Sequence, residues 1–270
     1  MTGRQNLGVI VGDIPNKEWK KVRTNMRSIL AVIFVFFFLV FNLPVMFVLW
    51  IVGKFNRKKA DLAELAIVNW AFRCVMFISG VKLKVKGREN IPDDEPVLYV
   101  GNHRSFFDVI CTYPQVKGRT GYIAKDGINK VPILGMVMKR LYCLFIHRDD
   151  MKQSLKVILT AIDYVKDGIS IAIFPEGTRC HDADPCAMLP FKEGSFKIAL
   201  KSGCKIIPMA ITGAGDILEN HMPWIKKGVV TITYGTPIDP KQLDKEQQKQ
   251  IGSYVRDVVH AMLIEAYNEI

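Results

Sequence analysis

The distribution of hydrophobic positions splits the chain near residue 80. Residues 29–53 carry no charge. At about 1.5 Å rise per residue, one helix of that length crosses a hydrocarbon core of about 30 Å. The run lies too far along the chain, and lacks the small-residue cleavage site, for a secretory signal peptide. Two features predict something other than a plain span. The sequence FNLP at residues 41–44 puts a proline in the middle, where the missing N–H bends or breaks a helix. Basic residues also stand on both flanks: Lys17, Lys20, Lys21, Arg23 and Arg27 before, Lys54, Arg57, Lys58 and Lys59 after. The positive-inside preference then gives a single kinked span no direction. A hairpin bent at FNLP, entering and leaving on the cytoplasmic side, is preferred. It sets both flanks against anionic headgroups, where each basic side chain contributes about 1 kcal/mol. Residues 62–78 continue apolar with Glu64 and Arg73 interspersed. They predict a further helix, lying on the membrane or on the rest of the protein.

Beyond residue 80 the pattern changes to short runs: VKLKVKG, VLYVG, GYIAK, CLFIH, ISIAIF, KIIPMAI and VVTITYG. Their length and β-branched content predict strands. Helical spacing falls between several of them. After Asp149-Asp150, Leu155, Ile158, Leu159, Ile162 and Val165 repeat at helical spacing, and Gly168 supplies a stop. Ile251, Val255, Val258, Met262 and Leu263 form a second apolar face near the end. Alternating strands and helices predict an α/β fold, a mixed, largely parallel sheet flanked by helices, behind an N-terminal hydrophobic helical anchor. Pro208 within KIIPMAI predicts an edge strand or a bulge. Neither an internal repeat nor a long low-complexity linker is present.

Charge narrows the partner class. Lys and Arg outnumber Asp and Glu by 37 to 26 in 270 residues, a net charge of +11. That favours an anionic partner: a phospholipid surface, a phosphorylated substrate or nucleic acid. Much of the charge flanks the uncharged run, where lipid explains it better than nucleic acid does. Cys74, Cys111, Cys143, Cys180, Cys186 and Cys204 are scattered, with no disulfide framework and no paired zinc spacing. Reduced thiols in a cytosol-facing protein are the simplest reading. Residues 180–186, CHDADPC, gather two thiols, His181, Asp182 and Asp184; a polar surface loop is preferred there to a metal site.

The candidate chemistry sits at predicted strand ends, where the sites of α/β sheets collect. In VLYVGNHRSFFD, residues 97–108, His103 follows such an end. A neutral imidazole accepts a proton near neutral pH, and a carboxylate on its other nitrogen would fix the tautomer. Asp108 is the candidate orienter. Five residues along one straight helix stand about 140° apart, so the pair meets only if a turn intervenes, with Gly101-Asn102 as its flexible part. The competing reading is a helix cap: Ser105 and Asp108 have capping-box spacing, and His103 becomes an ordinary loop residue. The pair alone does not choose. FPEGTR, residues 174–179, brings Glu176, Gly177, Thr178 and Arg179 to another strand end. Gly177 admits close backbone approach, and the Arg179 fork suits phosphate. Arg148 ends CLFIHR and Lys125 ends GYIAK; a lone Lys at such a place is usually solvated. His147 is given no role. Together these residues suit a site that deprotonates a hydroxyl on an anionic, phosphorylated molecule. No G-x-S-x-G nucleophile elbow occurs.

Taken in order, the blocks resemble those of the glycerolipid acyltransferases. NHRSFFD matches their H-x-x-x-x-D signature, FPEGTR their second hallmark, and FIHR and IIPMAI look like the remaining two. The chain is most similar to the bacterial-type 1-acyl-glycerol-3-phosphate acyltransferases, over residues 80–240. That resemblance implies transfer of an acyl chain from acyl-CoA or acyl-carrier protein to the 2-hydroxyl of lysophosphatidate, giving phosphatidate. It makes His103 the general base and Asp108 its orienter. It puts Glu176, Gly177, Thr178 and Arg179 in the acceptor-binding block, Arg148 in a phosphate-binding block and Lys125 at a basic position near the site. It implies residues 81–270 as the catalytic domain, on the cytoplasmic face, and residues 1–80 as an anchor on a membrane phospholipid surface. Neither a metal, a redox cofactor nor a nucleic-acid partner is implied. His147 stands where many members carry Asp or another polar residue, a mild departure. Glycerol-3-phosphate or another lysophospholipid is the alternative acceptor. A non-catalytic membrane protein with this fold is the alternative class, against which the intact His103 and Asp108 argue.

Overall fold

The structure, a computed structural model, describes residues 16–147 and 149–269, with side chains from Thr24 onward. The side chains of Lys17, Lys20, Lys21 and Arg23 lie outside the described set. Two long helices come first: α1, Asn16–Phe55, and α2, Arg57–Ser79. α1 runs unbroken through Pro44, so the bend expected at FNLP is absent. The hairpin turns at Asn56 instead, whose side chain accepts from Lys59 N at 3.0 Å and caps α2. A proline removes one intrahelical bond, and an apolar helix tolerates that loss where a neighbouring helix supports it, as α2 supports α1. One stripe of α1, including Ser28, Ala31, Asn42 and Met46, is buried. Val32, Phe36, Phe37, Phe41, Phe47 and Val48 are exposed. An apolar arc of this width facing outward suits lipid rather than water. Both helices are long and apolar enough to enter a bilayer, and they suggest membrane association.

α2 is the inner helix, so the helix expected over residues 62–78 lies on the protein. Val68, Val75 and Met76 join the core, and Gly80 ends the helix at φ 72°, a left-handed conformation that glycine takes without strain. Two acids of α2 are buried in the contact. Glu64 meets Arg140 at 2.5 Å. Asp61 meets Arg57 at 2.9 Å and Arg119 at 3.8 Å, and accepts from the Tyr142 hydroxyl.

The remaining elements alternate: β1 Val81–Lys86, β2 Leu98–Gly101, α3 Phe106–Thr112, β3 Thr120–Lys125, α4 Pro132–Arg140, β4 Leu144–Ile146, α5 Met151–Lys166, β5 Ser170–Ile173, α6 Lys197–Ser202, β6 Ile206–Thr212, β7 Gly228–Tyr234, α7 Lys245–Lys249 and α8 Ile251–Asn268. The strands form one sheet in the order β1-β7-β6-β2-β5-β3-β4. β6, β2, β5, β3 and β4 run parallel; β7 is antiparallel to β6, and β1 follows β7. This is the mixed, largely parallel α/β sheet. Lys82, Lys84 and Lys86 alternate outward along edge strand β1, and such charge discourages further pairing. The two-residue pleat sends Leu98 and Val100 to the face covered by α5, α6 and α8, and Tyr99 to the face covered by α2 and α3.

Three expectations change in detail. In α5, capped by Asp150, Ile158, Ile162 and Val165 are buried with Val157 and Ala161, while Leu155 and Leu159 are exposed. In α8, Val259 is buried and Val258 is only partly so. Of the two readings of Pro208 the bulge holds and the edge does not, since Pro208 lies in the middle of the sheet. Met209 pairs with Tyr234 while Ile206 bridges Ile238, so the β7 side carries one extra residue opposite Pro208. This bulge removes the need for an N–H there, and the Pro208 carbonyl accepts from Gly235 N at 2.9 Å.

Candidate active site

Five parallel strands place their carboxyl ends on one sheet edge. In sheet order, β6, β2 and β5 release the segments bearing Glu219, His103 and residues 174–179, and β3 ends at Lys125. Strands are spaced by about 4.8 Å, so Lys125 leaves the edge about 10 Å from the strand of His103. Lys125 is exposed. Arg148 lies outside the described residues.

The segment after β2 is rigid. Asn102, read above as flexible, extends the ladder with its side chain: Nδ2 donates to Ile211 O at 3.0 Å and Oδ1 accepts from Ile211 N at 2.8 Å. The chain therefore turns from a fixed point. Ser105 is extended, at φ −150°, and caps α3, so His103 precedes the helix and the 140° separation does not apply. Asp108 points back. Its Oδ2 accepts from His103 Nδ1 at 2.8 Å, Arg104 N at 2.7 Å and Ser105 N at 2.8 Å. Ser105 Oγ in turn accepts from Phe107 N at 2.9 Å. Cap and dyad are one arrangement, served by one carboxylate oxygen. The Asp108 side chain is 0% exposed and that of His103 18%. A carboxylate only accepts, so Nδ1 carries the hydrogen and Nε2 presents its lone pair. The ring stacks on Phe174 at 4.4 Å and 14°, which fixes its plane.

The segment after β5 supports the histidine from below. Glu176 accepts from His103 N at 2.7 Å through Oε1 and from Leu189 N at 2.8 Å through Oε2. Burial raises its carboxyl above the usual range, and the amides of Leu189 and His103 pull the other way. With both oxygens occupied, Glu176 holds backbone. Gly177 has φ 74°, and a Cβ there would stand 3.0 Å from the Lys192 side chain. Thr178 is exposed. Arg179 stacks over the Phe106 ring at 4.2 Å and donates from Nη1 to Glu219 Oε1 at 2.9 Å.

Glu219 was invisible to the sequence reading. Its side chain is 3% exposed and also accepts from Phe106 N at 2.8 Å and from the Ser105 hydroxyl. It joins the start of α3 to Arg179. Arg104 reaches across to the carbonyls of Asp182, Asp184 and Ala187, which makes CHDADPC a polar loop pinned from the β2 side.

A carboxylate-held imidazole thus stands at the carboxyl edge of a largely parallel sheet, with Arg179 fixed at the start of the adjoining helix α3. The acyltransferase family model matches residues 82–212 of the chain. The chain is 28% identical over 221 residues to a 1-acyl-sn-glycerol-3-phosphate acyltransferase of Chlamydomonas reinhardtii, covering 80% of this chain and 65% of that protein. To a chloroplastic 1-acyl-sn-glycerol-3-phosphate acyltransferase of Brassica napus it is 32% identical over 207 residues, 74% of this chain and 58% of that one. The chain thus spans less than two thirds of the length of these curated relatives. The crystal structure of the 1-acyl-sn-glycerophosphate acyltransferase PlsC from Thermotoga maritima matches with a TM-score of 0.79 at 25% identity, covering 92% of this chain and 98% of that one.

Proposed function

We propose that this protein transfers a fatty acyl chain from acyl-CoA or acyl-carrier protein to the 2-hydroxyl of 1-acyl-glycerol-3-phosphate, giving phosphatidate. The observation that carries this is the contact of His103 Nδ1 with buried Asp108 at 2.8 Å, which makes Nε2 the proton acceptor one strand from Arg179. The match to the acyltransferase family model and the names of the relatives support the acyl donor and the acceptor.

The acceptor hydroxyl faces His103 Nε2. As its oxygen bonds to the thioester carbon, its proton passes to Nε2, assistance that typically contributes 10²–10⁴-fold. The Asp108 carboxylate stabilises the imidazolium so formed. When the C–S bond breaks, the thiolate leaves and takes that proton back; a thiol with an ordinary pKa of about 8.5 leaves readily. Arg179 and Arg148 hold the acceptor phosphate, Lys125 adds positive charge beside them, and Gly177 and Thr178 shape the same loop. Glu176 acts through the His103 backbone. Residues 1–80 serve as the anchor and residues 81–270 as the catalytic domain, on the cytoplasmic leaflet. Acceptor and product stay in the bilayer, because each CH₂ drawn into water costs about 0.8 kcal/mol.

The test is purified protein in vesicles with labelled acyl-CoA and a panel of lysophosphatidate, glycerol-3-phosphate and other lysophospholipids. Lysophosphatidate is the expected acceptor, and His103→Ala abolishes transfer. Arg179→Ala and Arg148→Ala raise the acceptor KM and leave the donor KM unchanged. Transfer to no phosphorylated glycerolipid overturns the proposal; a raised donor KM alone reverses the role of the arginines.

A further inference from the structure

The chemistry above uses the segment between β6 and β7 only through Glu219. That segment closes on itself: Lys226 N donates to Ile217 O at 2.8 Å and Trp224 N to His221 O at 2.9 Å. Residues 217–226 are therefore a compact loop with adjacent ends. Its stem, Ile217 and Ile225, is in the core. Its tip is not: Met222 is 59% exposed and Trp224 39%. Single exposed hydrophobic residues need no explanation, but these two continue another surface. Ile225 N donates to Ser28 Oγ of α1 at 2.7 Å, and Ile225 shares its core cluster with Ala31. Ser28 stands where the outward apolar arc of α1 begins, among exposed Met26, Ile29, Leu30 and Val32. Lys226 and Lys227 follow the tip and are exposed. A tryptophan followed by two lysines, level with the end of an uncharged helical run, has the composition of a headgroup-depth contact. At its other end the loop reaches the site, since Glu219 holds Arg179 and the start of α3.

We propose that residues 217–226 form a second lipid contact, in which Met222 and Trp224 enter the headgroup region of an anionic bilayer beside α1. The contact holds the Arg179 side of the site at the surface from which the acceptor is taken. It rests on the reading of α1 and α2 as membrane-associated.

The test compares wild type with Trp224→Phe on phosphatidylglycerol-containing vesicles whose lipids carry bromine near the top of the acyl chain. Trp224 is one of four tryptophans. The expected result is a smaller bromine-quenched share of emission in Trp224→Phe, with unchanged sedimentation on vesicles because α1 is intact. Equal quenching in both proteins overturns the loop contact and leaves the anchor standing. Failure of wild type to sediment overturns both. Quenching needs no turnover, so it separates this contact from the proposed acyl transfer. In kinetics, a Met222→Ser, Trp224→Ser double variant raises the KM for vesicle-borne lysophosphatidate severalfold and leaves that for a water-soluble short-chain analogue unchanged. An equal rise for both acceptors overturns the proposal, because it marks damage to the site itself.

Discussion

Replacing Asp108 with Asn separates the two duties of its Oδ2. That oxygen faces three donors, His103 Nδ1 at 2.8 Å, Arg104 N at 2.7 Å and Ser105 N at 2.8 Å. An NH₂ in its place would oppose two backbone N–H groups that cannot turn away. The amide carbonyl therefore takes the Oδ2 position and keeps the imidazole tautomer. The NH₂ goes to the Oδ1 position, which is buried without a hydrogen-bond partner. What is lost is the charge. At about 4 Å and an effective dielectric of about 20, two unit charges attract by about 4 kcal/mol. The imidazolium forfeits most of this as it forms, so kcat falls about 10²–10³-fold at about 1.36 kcal/mol per decade, with both KM values unchanged. The cap bonds become neutral and an NH₂ is stranded, which costs about 1–3 kcal/mol of stability. Single-turnover acyl transfer and thermal unfolding read the two effects separately. Ser105→Ala is the control: it loses the bonds to Phe107 N and to Glu219, the cap costing about 0.5–2 kcal/mol, and keeps the His103 contact. An Asp108→Asn enzyme with more than roughly a tenth of wild-type kcat, a loss below about 1.4 kcal/mol, would refute the dyad and leave Asp108 a cap.

Glu219→Ala releases Arg179 and uncaps α3, so acceptor KM rises and Tm falls. Glu219→Gln can turn its NH₂ to Ser105 Oγ, so it restores Tm without restoring acceptor KM; restoration of both would mean that the charge on Arg179 needs no partner. Glu176→Gln offers one oxygen to two backbone donors, so urea unfolding shows a loss of about 1–3 kcal/mol; unchanged stability would contradict the two-amide role. Burial holds the Cys111 and Cys143 thiols up to about 12 from an ordinary 9.0. The folded chain keeps protons that the unfolded chain releases above the ordinary value. This stability is complete below that value and is lost as pH rises toward about 12, at about 1.4 kcal/mol per pH unit for each thiol. Tm measured against pH should fall across that window, less steeply in Cys111→Ala; a flat profile would refute it.

The parts of the site legible in the sequence are those whose geometry is local. His103 and Asp108 lie five residues apart, and the cap that brings them together uses the residues between. FPEGTR was readable because it follows a buried, mostly apolar strand, β5. Glu219 has no such signal: its partners are Arg179, 40 residues away, and Ser105, 114 residues away, and only the sheet order puts β6 beside β2. Asn102 was misread for a different reason. An asparagine after a strand reads as a turn former, but here its amide imitates a backbone unit, and only the buried Ile211 opposite reveals that. Pro44 was read as a bend, yet α1 runs through it; Pro208 was read as an edge or a bulge, and it sits at a bulge. Each missing N–H is accommodated by a neighbour, the packed helix α2 in one case and the one-residue bulge in the other.

The buried acids of α2 set a limit on how this molecule can be dissected. A cut at Gly80 looks like the way to a detergent-free fragment. It would take away the partners of Arg140 and Tyr142 and strip Val68, Val75 and Met76 from the core. Removing one partner of a buried ion pair costs about 3–5 kcal/mol, a large fraction of the 5–15 kcal/mol by which a domain is stable. The inner helix of the anchor is thus a structural member of the body it anchors. Solubility engineering belongs on the outward arc of α1, one phenylalanine at a time, with α2 left in place.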